Sequence, residues 1–172
     1  MEPWEIVLIV VGSVLLFLIL VLLGVAIFFQ RMMFKNRFKL NPLQGVYTKE
    51  ILGLDARPIE IPMKGIKMRG FIYSKGEVDP NKIVVYCHGM WSCHDSYLQN
   101  IGYIAAKGYD VIGFDYEGVE SSDGKDIRGF GNSLRCTDYV IRFIKNNPEL
   151  KDRDIYVVGH SWGGFAASNI AG

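Results

Sequence analysis

Ile155-Tyr156-Val157-Val158-Gly159-His160-Ser161-Trp162-Gly163-Gly164-Phe165-Ala166-Ala167 is the stretch from which the rest of the chain is read. Its four leading apolar residues do not alternate with polar ones, which predicts a strand buried on both faces. Phe165-Ala166-Ala167 predicts a helix start. Between them lies a Gly-x-Ser-x-Gly turn. A serine hydroxyl is a poor nucleophile and works only when a tight, strained strand-to-helix turn projects it toward a base. Gly159 and Gly163 have no side chains, so neighbouring backbone can approach the turn. Trp162 opens the helix, so its N–H and the helix dipole point toward an oxyanion developing beside Ser161. With 19 glycines in 172 residues, the bare pattern arises about 0.1 times by chance; its frame is what makes it specific.

Working outward, Ile83-Val84-Val85-Tyr86-Cys87 and Asp110-Val111-Ile112-Gly113-Phe114 are two further apolar runs. Between them, Tyr97, Ile101, Ile104 and Ala105 fall at helical spacing, and Gly108 stops that helix. Leu134, Val140, Ile141 and Ile144 predict a helix from about Asn132 to Asn147, with Pro148 just past its end. Strand, helix, strand, helix, strand implies right-handed crossovers and a parallel sheet with helices on both faces. Earlier, Arg57–Pro62 and Lys67–Ser74 alternate around Met63-Lys64-Gly65-Ile66, a hairpin signal. Residues 40–56 show no sustained period and are predicted to be a linker or covering segment. In such sheets reactive groups gather at the carboxyl edge. Three strand ends are chemically loaded there: Cys87-His88-Gly89-Met90, Phe114-Asp115-Tyr116-Glu117-Gly118 and the 159–164 turn.

The chain begins differently. Residues 6–29 carry no charge, and as a helix they span about 36 Å, enough to cross a hydrocarbon core of about 30 Å. Glu2 and Glu5 precede them, whereas a cleaved signal peptide has a basic leader. Trp4, Phe28, Phe29 and Phe34 suit the two interfaces. Arg31, Lys35, Arg37 and Lys39 follow with no acid among them, so the positive-inside rule predicts a cytoplasmic domain and an outer N-terminus. The predicted organisation is a transmembrane helix and flank over residues 1–30, a basic juxtamembrane segment and linker over 31–56, and an α/β domain over 57–172.

Composition excludes several classes. A formal net charge of +1 does not suit a nucleic-acid partner, and 49% hydrophobic residues with 13% aromatic do not suit a disordered chain. Three cysteines form no disulfide framework and are read as free thiols in a reducing compartment. Cys87, His88, Cys93 and His94 lack zinc spacing, and no phosphate-binding glycine loop is complete; no metal or cofactor is expected. His88 is expected to shape its turn by hydrogen bonds, His160 to pack, and Asp115 to cap a loop.

With these residues in view, the chain from about Arg57 onward resembles the α/β-hydrolase superfamily. The resemblance rests on Val85-Tyr86-Cys87-His88-Gly89, Gly108-Tyr109-Asp110-Val111, Phe114-Asp115-Tyr116-Glu117-Gly118 and Val158–Gly164. It looks most like bacterial membrane-anchored members near the serine aminopeptidase and lysophospholipase-like groups. The resemblance implies the N-terminal half of a mostly parallel sheet flanked by helices. It also implies Ser161 as nucleophile, the amides of Met90 and Trp162 as oxyanion donors, and His88, Gly89, Gly159 and Gly163 as the supporting turns. Relatives usually read Asp-x-Arg-Gly-x-Gly-x-Ser-x-Gly after the second strand; this chain has Glu117 and Glu120 at the Arg and second Gly positions, and no binding role is carried onto either. The expected activity is hydrolysis of a small acyl substrate, an ester or lipid before a peptide because of the membrane anchor. The alternative is a non-catalytic tethered binding protein. The superfamily's acid and base follow the nucleophile, yet none of Trp162–Gly172 is Asp, Glu or His. The expectation is therefore a partial copy of a longer hydrolase, inactive alone, with Ile155–Val158 left as an exposed edge.

Overall fold

The computed structural model of the chain describes residues 1–41, 43 and 46–170. Pro42, Gln44 and Gly45 of the predicted linker, and Ala171 and Gly172 of the predicted domain, lie outside the described residues.

Helix α1 runs Pro3–Phe34 with none of its residues buried. It is long and apolar enough to cross a membrane. Proline at its first turn costs no intrahelical bond, and the Glu2 amide donates to the Glu5 carboxylate at 2.8 Å. The helix continues past the uncharged run to Phe34, where the Lys35 amide closes on the Arg31 carbonyl.

The segment after α1 is built into the domain through Arg37 and Phe38. Phe38 donates to the Gly118 carbonyl at 2.9 Å and accepts from the Glu120 amide at 2.9 Å. The Arg37 guanidinium donates to the carbonyls of Gly124 at 2.6 Å and Ser122 at 2.7 Å, and also to that of Glu120. Phe34, Phe38 and Leu40 pack against the main core. Within residues 40–56, read as a linker or covering segment, Leu40 packs against the main core and Leu52 and Leu54 belong to the core on the other face of the sheet. A one-turn helix, α2 (Lys49–Leu52), follows, capped by the Thr48 hydroxyl and by Gly53 in the left-handed region.

Strands β1 (Asp55–Met63) and β2 (Ile66–Ser74) form the expected hairpin, longer at both ends. Its two turn residues, Lys64 and Gly65, both have positive φ, the turn whose twist matches the flanking strands. Strands β3 (Lys82–Cys87), β4 (Asp110–Phe114) and β5 (Asp154–Gly159) complete a sheet of order β1-β2-β4-β3-β5. β3 pairs parallel with β4 and β5, whereas β2 pairs antiparallel with β4. The strand–helix alternation thus gives the expected parallel pairing of β3, β4 and β5, and the hairpin adds an antiparallel side that makes the sheet mixed.

A 3₁₀ turn (His94–Tyr97) leads into α3 (Leu98–Ala105), and α4 (Asn132–Asn146) and α5 (Trp162–Ile170) follow. Side chains alternate across the sheet, as the pleat requires. Ile83, Val85, Ile112 and Phe114 pack with Val140, Ile144 and Trp162 on one face. Val84, Tyr86 and Val111 pack with Leu98, Ile101 and Ala105 on the other. β5 is less buried than its unbroken apolar run predicts and matches the expected exposed edge: Tyr156 is 46% and Val158 40% exposed. It is an edge strand, and α3 reaches β2 and β4 but does not cover it.

Candidate active site

Ser161 occupies the turn between β5 and α5 with φ +53°, a left-handed backbone that costs a non-glycine residue roughly 1–2 kcal/mol. Its neighbours force that turn. A Cβ on Gly163 would collide with the Cys87 carbonyl, and one on Gly159 with the Gly163 carbonyl. The His160 amide donates to the Cys87 carbonyl at 3.2 Å, continuing the β3–β5 ladder so that the 88–90 turn lies beside the serine turn. The Ser161 side chain is exposed.

The two turns share a third partner. The Gly89 amide donates to Tyr97 Oη at 3.3 Å, leaving the tyrosine proton for His160 Nδ1 at 2.9 Å. His160 is exposed, its ring 5.5 Å from that of Tyr97; the packing expected of it is an edge contact, not burial. Among the described residues, the amides of Met90 and Trp162 donate to no protein acceptor. The Trp162 side chain is buried, with Nε1 donating to the Phe130 carbonyl at 2.5 Å and the ring 5.1 Å from that of Tyr116.

His88 is fully buried beneath the turn. Its Nδ1 lies 2.8 Å from the Gly89 carbonyl, which can only accept, so Nδ1 carries the proton and Nε2 accepts from the Tyr116 amide at 3.3 Å. Burial pushes its pKa down to about 4, keeping the imidazole neutral. Asp115 joins two loops: it accepts from the His94 amide and ring, and from the amide and hydroxyl of Ser121. Burial raises its pKa, but His94 outweighs burial and holds the carboxyl below the usual aspartate range.

Cys87 and Cys93 go to Thr137 and Ser96, and His94 to Asp115, so the four residues that look like a metal set on paper have separate partners. Glu117 is buried between Arg128, at 2.7 Å, and Arg135. Glu120 has φ +33°, so the position where a glycine is usual retains a left-handed backbone, and its carboxylate accepts from the Leu40 amide. Sequence reasoning missed Tyr97, taken only as an apolar helix position, and the Phe130 carbonyl; neither carries a local signal for its contact.

Residues 78–172 match the family model described as serine aminopeptidase, S33. The chain belongs to that family. It thereby belongs to the α/β-hydrolase superfamily, and the solved structures agree on the fold. An esterase of Pyrococcus furiosus is similar at a TM-score of 0.65 and 23% identity, covering 78% of this chain and 52% of the esterase. An alpha-beta serine hydrolase homologue from Coxiella burnetii gives a TM-score of 0.58 at 15% identity, over 67% of this chain and 56% of the other. An epoxide hydrolase of Vigna radiata gives 0.51 at 18% identity, over 68% and 33%. The chain therefore spans about half the length of the esterase. No curated protein matches it in sequence. Family membership and fold agree in giving the chain an α/β-hydrolase architecture.

Proposed function

We propose that the protein is a membrane-anchored serine hydrolase in which Ser161 attacks the carbonyl carbon of an acyl ester, a lipid before a peptide. The observation that carries this reading is the exposed serine held at φ +53° on the strand-to-helix turn beside the 88–90 turn. The amides of Met90 and Trp162 would receive the oxyanion of the tetrahedral intermediate, each donor being worth about 10²–10³ in rate. His88, Gly89, Gly159 and Gly163 hold the geometry. The roles of base and acid are assigned to none of the three histidines: His88 and His94 are buried in other hydrogen bonds, and His160 Nδ1 is bonded to Tyr97. The apolar length of α1 supports insertion of residues 6–29 in the bilayer, and the basic flank supports a cytoplasmic domain. No cofactor enters this chemistry.

The test is a fluorophosphonate probe applied to membranes of cells that make the protein from its own gene. The adduct is expected on the tryptic peptide beginning at Asp154, and Ser161→Ala abolishes it. No adduct on that peptide in active membranes would favour a tethered, non-catalytic binding protein.

A further inference from the structure

The end of α1 and the loop after β4 enclose a cavity of about 480 Å³ that the proposed chemistry does not use. Ile27, Gln30, Arg31 and Phe34 line it from α1, Lys35 lines it from the residue that caps the helix, and Lys125 and Arg128 line it from the loop. The four α1 residues recur at three- and four-residue spacing, so they form one stripe of the helix. That stripe changes character along its length, from Ile27 in the apolar run to Arg31 in the last turn, with Lys35 just past the helix end.

The charges are unbalanced. Arg128 is paired with Glu117 at 2.7 Å, and Asp126, which also lines the cavity, accepts from the Arg128 amide at 3.0 Å. Arg31, Lys35 and Lys125 are exposed and have no carboxylate within ion-pair distance among the described residues. Three unpaired cations thus converge from two segments about ninety positions apart in sequence. The arrangement is fixed by the Ile127 amide donating to the Phe34 carbonyl at 3.1 Å and by the Arg37 clamp.

We infer that this cavity binds the phosphodiester of an anionic glycerophospholipid, with the lipid's acyl chain lying along Ile27 and Phe34. This rests on the membrane-anchor reading, which sets the cavity at the boundary between hydrocarbon and headgroups. Basic pockets beside transmembrane helices on the cytoplasmic side hold such headgroups. A zwitterionic headgroup fits poorly, because its own ammonium would meet the same cations and the one lining carboxylate is engaged by a main-chain amide. Both walls contact the lipid, so it would fasten the loop at the carboxyl edge of the sheet to the anchor.

The test is native mass spectrometry of the full chain in mild detergent, titrated with phosphatidylglycerol or phosphatidylcholine. One phosphatidylglycerol is expected to be retained at least about tenfold more tightly than phosphatidylcholine. Lys125→Gln should weaken it about fivefold, the equivalent of about 1 kcal/mol for one cation. Lys39→Gln removes the same charge from the same flank outside the cavity and should leave binding unchanged. Equal losses in the two variants, or equal binding of the two lipids, would mean diffuse attraction and overturn the site. Displacement of the lipid by 10 mM inorganic phosphate (about that concentration) would reassign it to a soluble anion and overturn the lipid. Alkaline carbonate extraction separates the two proposals. Release of the chain sinks the anchor and this inference with it, whereas a membrane-retained chain without lipid selectivity sinks this inference alone.

Discussion

Asp115 Oδ1 accepts two hydrogen bonds from His94, from the main-chain amide at 3.1 Å and from ring Nδ1 at 2.8 Å. The pair is buried, 1% exposed at Asp115 and 2% at His94, and it ties the turn after β3 to the turn after β4. His94 Nε2 has no hydrogen-bond partner among the described residues and lies 3.4 Å from an Asp95 carboxylate oxygen. Burial lowers the His94 pKa, but Asp115 and Asp95 together override it and leave it above the ordinary histidine value.

The linkage has a definite sign. His94 has a raised pKa, so its contribution is complete below the unfolded value near about 6.5 and fades as pH rises through the folded value. Asp115 has a lowered pKa, so its contribution is complete above about 3.9 and fades as pH falls through the folded value. The pair therefore contributes most between about pH 4 and 6.5. Neutral, buried His88 acts oppositely below about 6.5, so the comparison must be between variants. His94→Asn is expected to cost about 2–3 kcal/mol at pH 6 and clearly less at pH 9, measured as the difference in urea midpoint from the parent chain. An equal cost at both values would show that the ring is neutral throughout.

Arg37 is predicted to be a main tether of the segment after α1 to the loop after β4. Arg37→Ala leaves three loop carbonyls without their donor and should destabilise the fold by about 2–3 kcal/mol. It should also open the 120–128 loop to limited proteolysis. Arg37→Lys should not restore it, since one ammonium cannot replace a planar fork that reaches three carbonyls. A thermal melt and a protease time course on the three proteins check this.

Trp162 carries two separable contributions. Trp162→Phe keeps the main-chain amide and loses the indole bond to Phe130, so melting temperature should fall while the rate of fluorophosphonate labelling stays within about twofold. Trp162→Pro suits the first helical position but removes the amide as well, and labelling should slow about 10²–10³-fold. The gap between the two variants isolates the amide; equal rates would remove Trp162 from the oxyanion hole.

The native cysteines are predicted to be silent toward maleimides in the folded chain. All three are buried, and burial pushes the thiols of Cys87 and Cys93 up to about 11 and that of Cys136 up to about 12, leaving almost no thiolate at neutral pH. Lys151→Cys, at an exposed position, then reports the side of the membrane. A membrane-impermeant maleimide should label it only after permeabilisation. Labelling on intact cells would reverse the proposed orientation.

What the sequence determined by itself is local in origin. The uncharged run of residues 6–29 is apolar enough to be read as a long exposed helix whatever follows it. Lys64-Gly65 between two alternating runs specifies the hairpin, because both turn residues must reach positive φ. The apolar runs at 83–87 and 110–114 identify the central strands, since side chains on both faces need a packed layer. The tight turn at Ser161 is legible because glycines at 159 and 163 are required only where backbone passes as close as the Gly163 and Cys87 carbonyls do.

Tertiary structure alone decided the rest. Ile155–Val158 reads from its own residues as a central strand, and only the resemblance pointed to an exposed edge; half of it is exposed because burial depends on which strands and helices lie beside it. Tyr97 reads as one more apolar helix position until the fold brings Gly89 and His160 to the same hydroxyl. Arg37 and Lys125 look like solvated charges, but one grips the loop after β4 and the other faces the end of α1. Those partners are separated by eighty or more residues, so no local propensity or period encodes them. They are set by the path of the chain, which brings the strand ends and the end of α1 together once the core has packed.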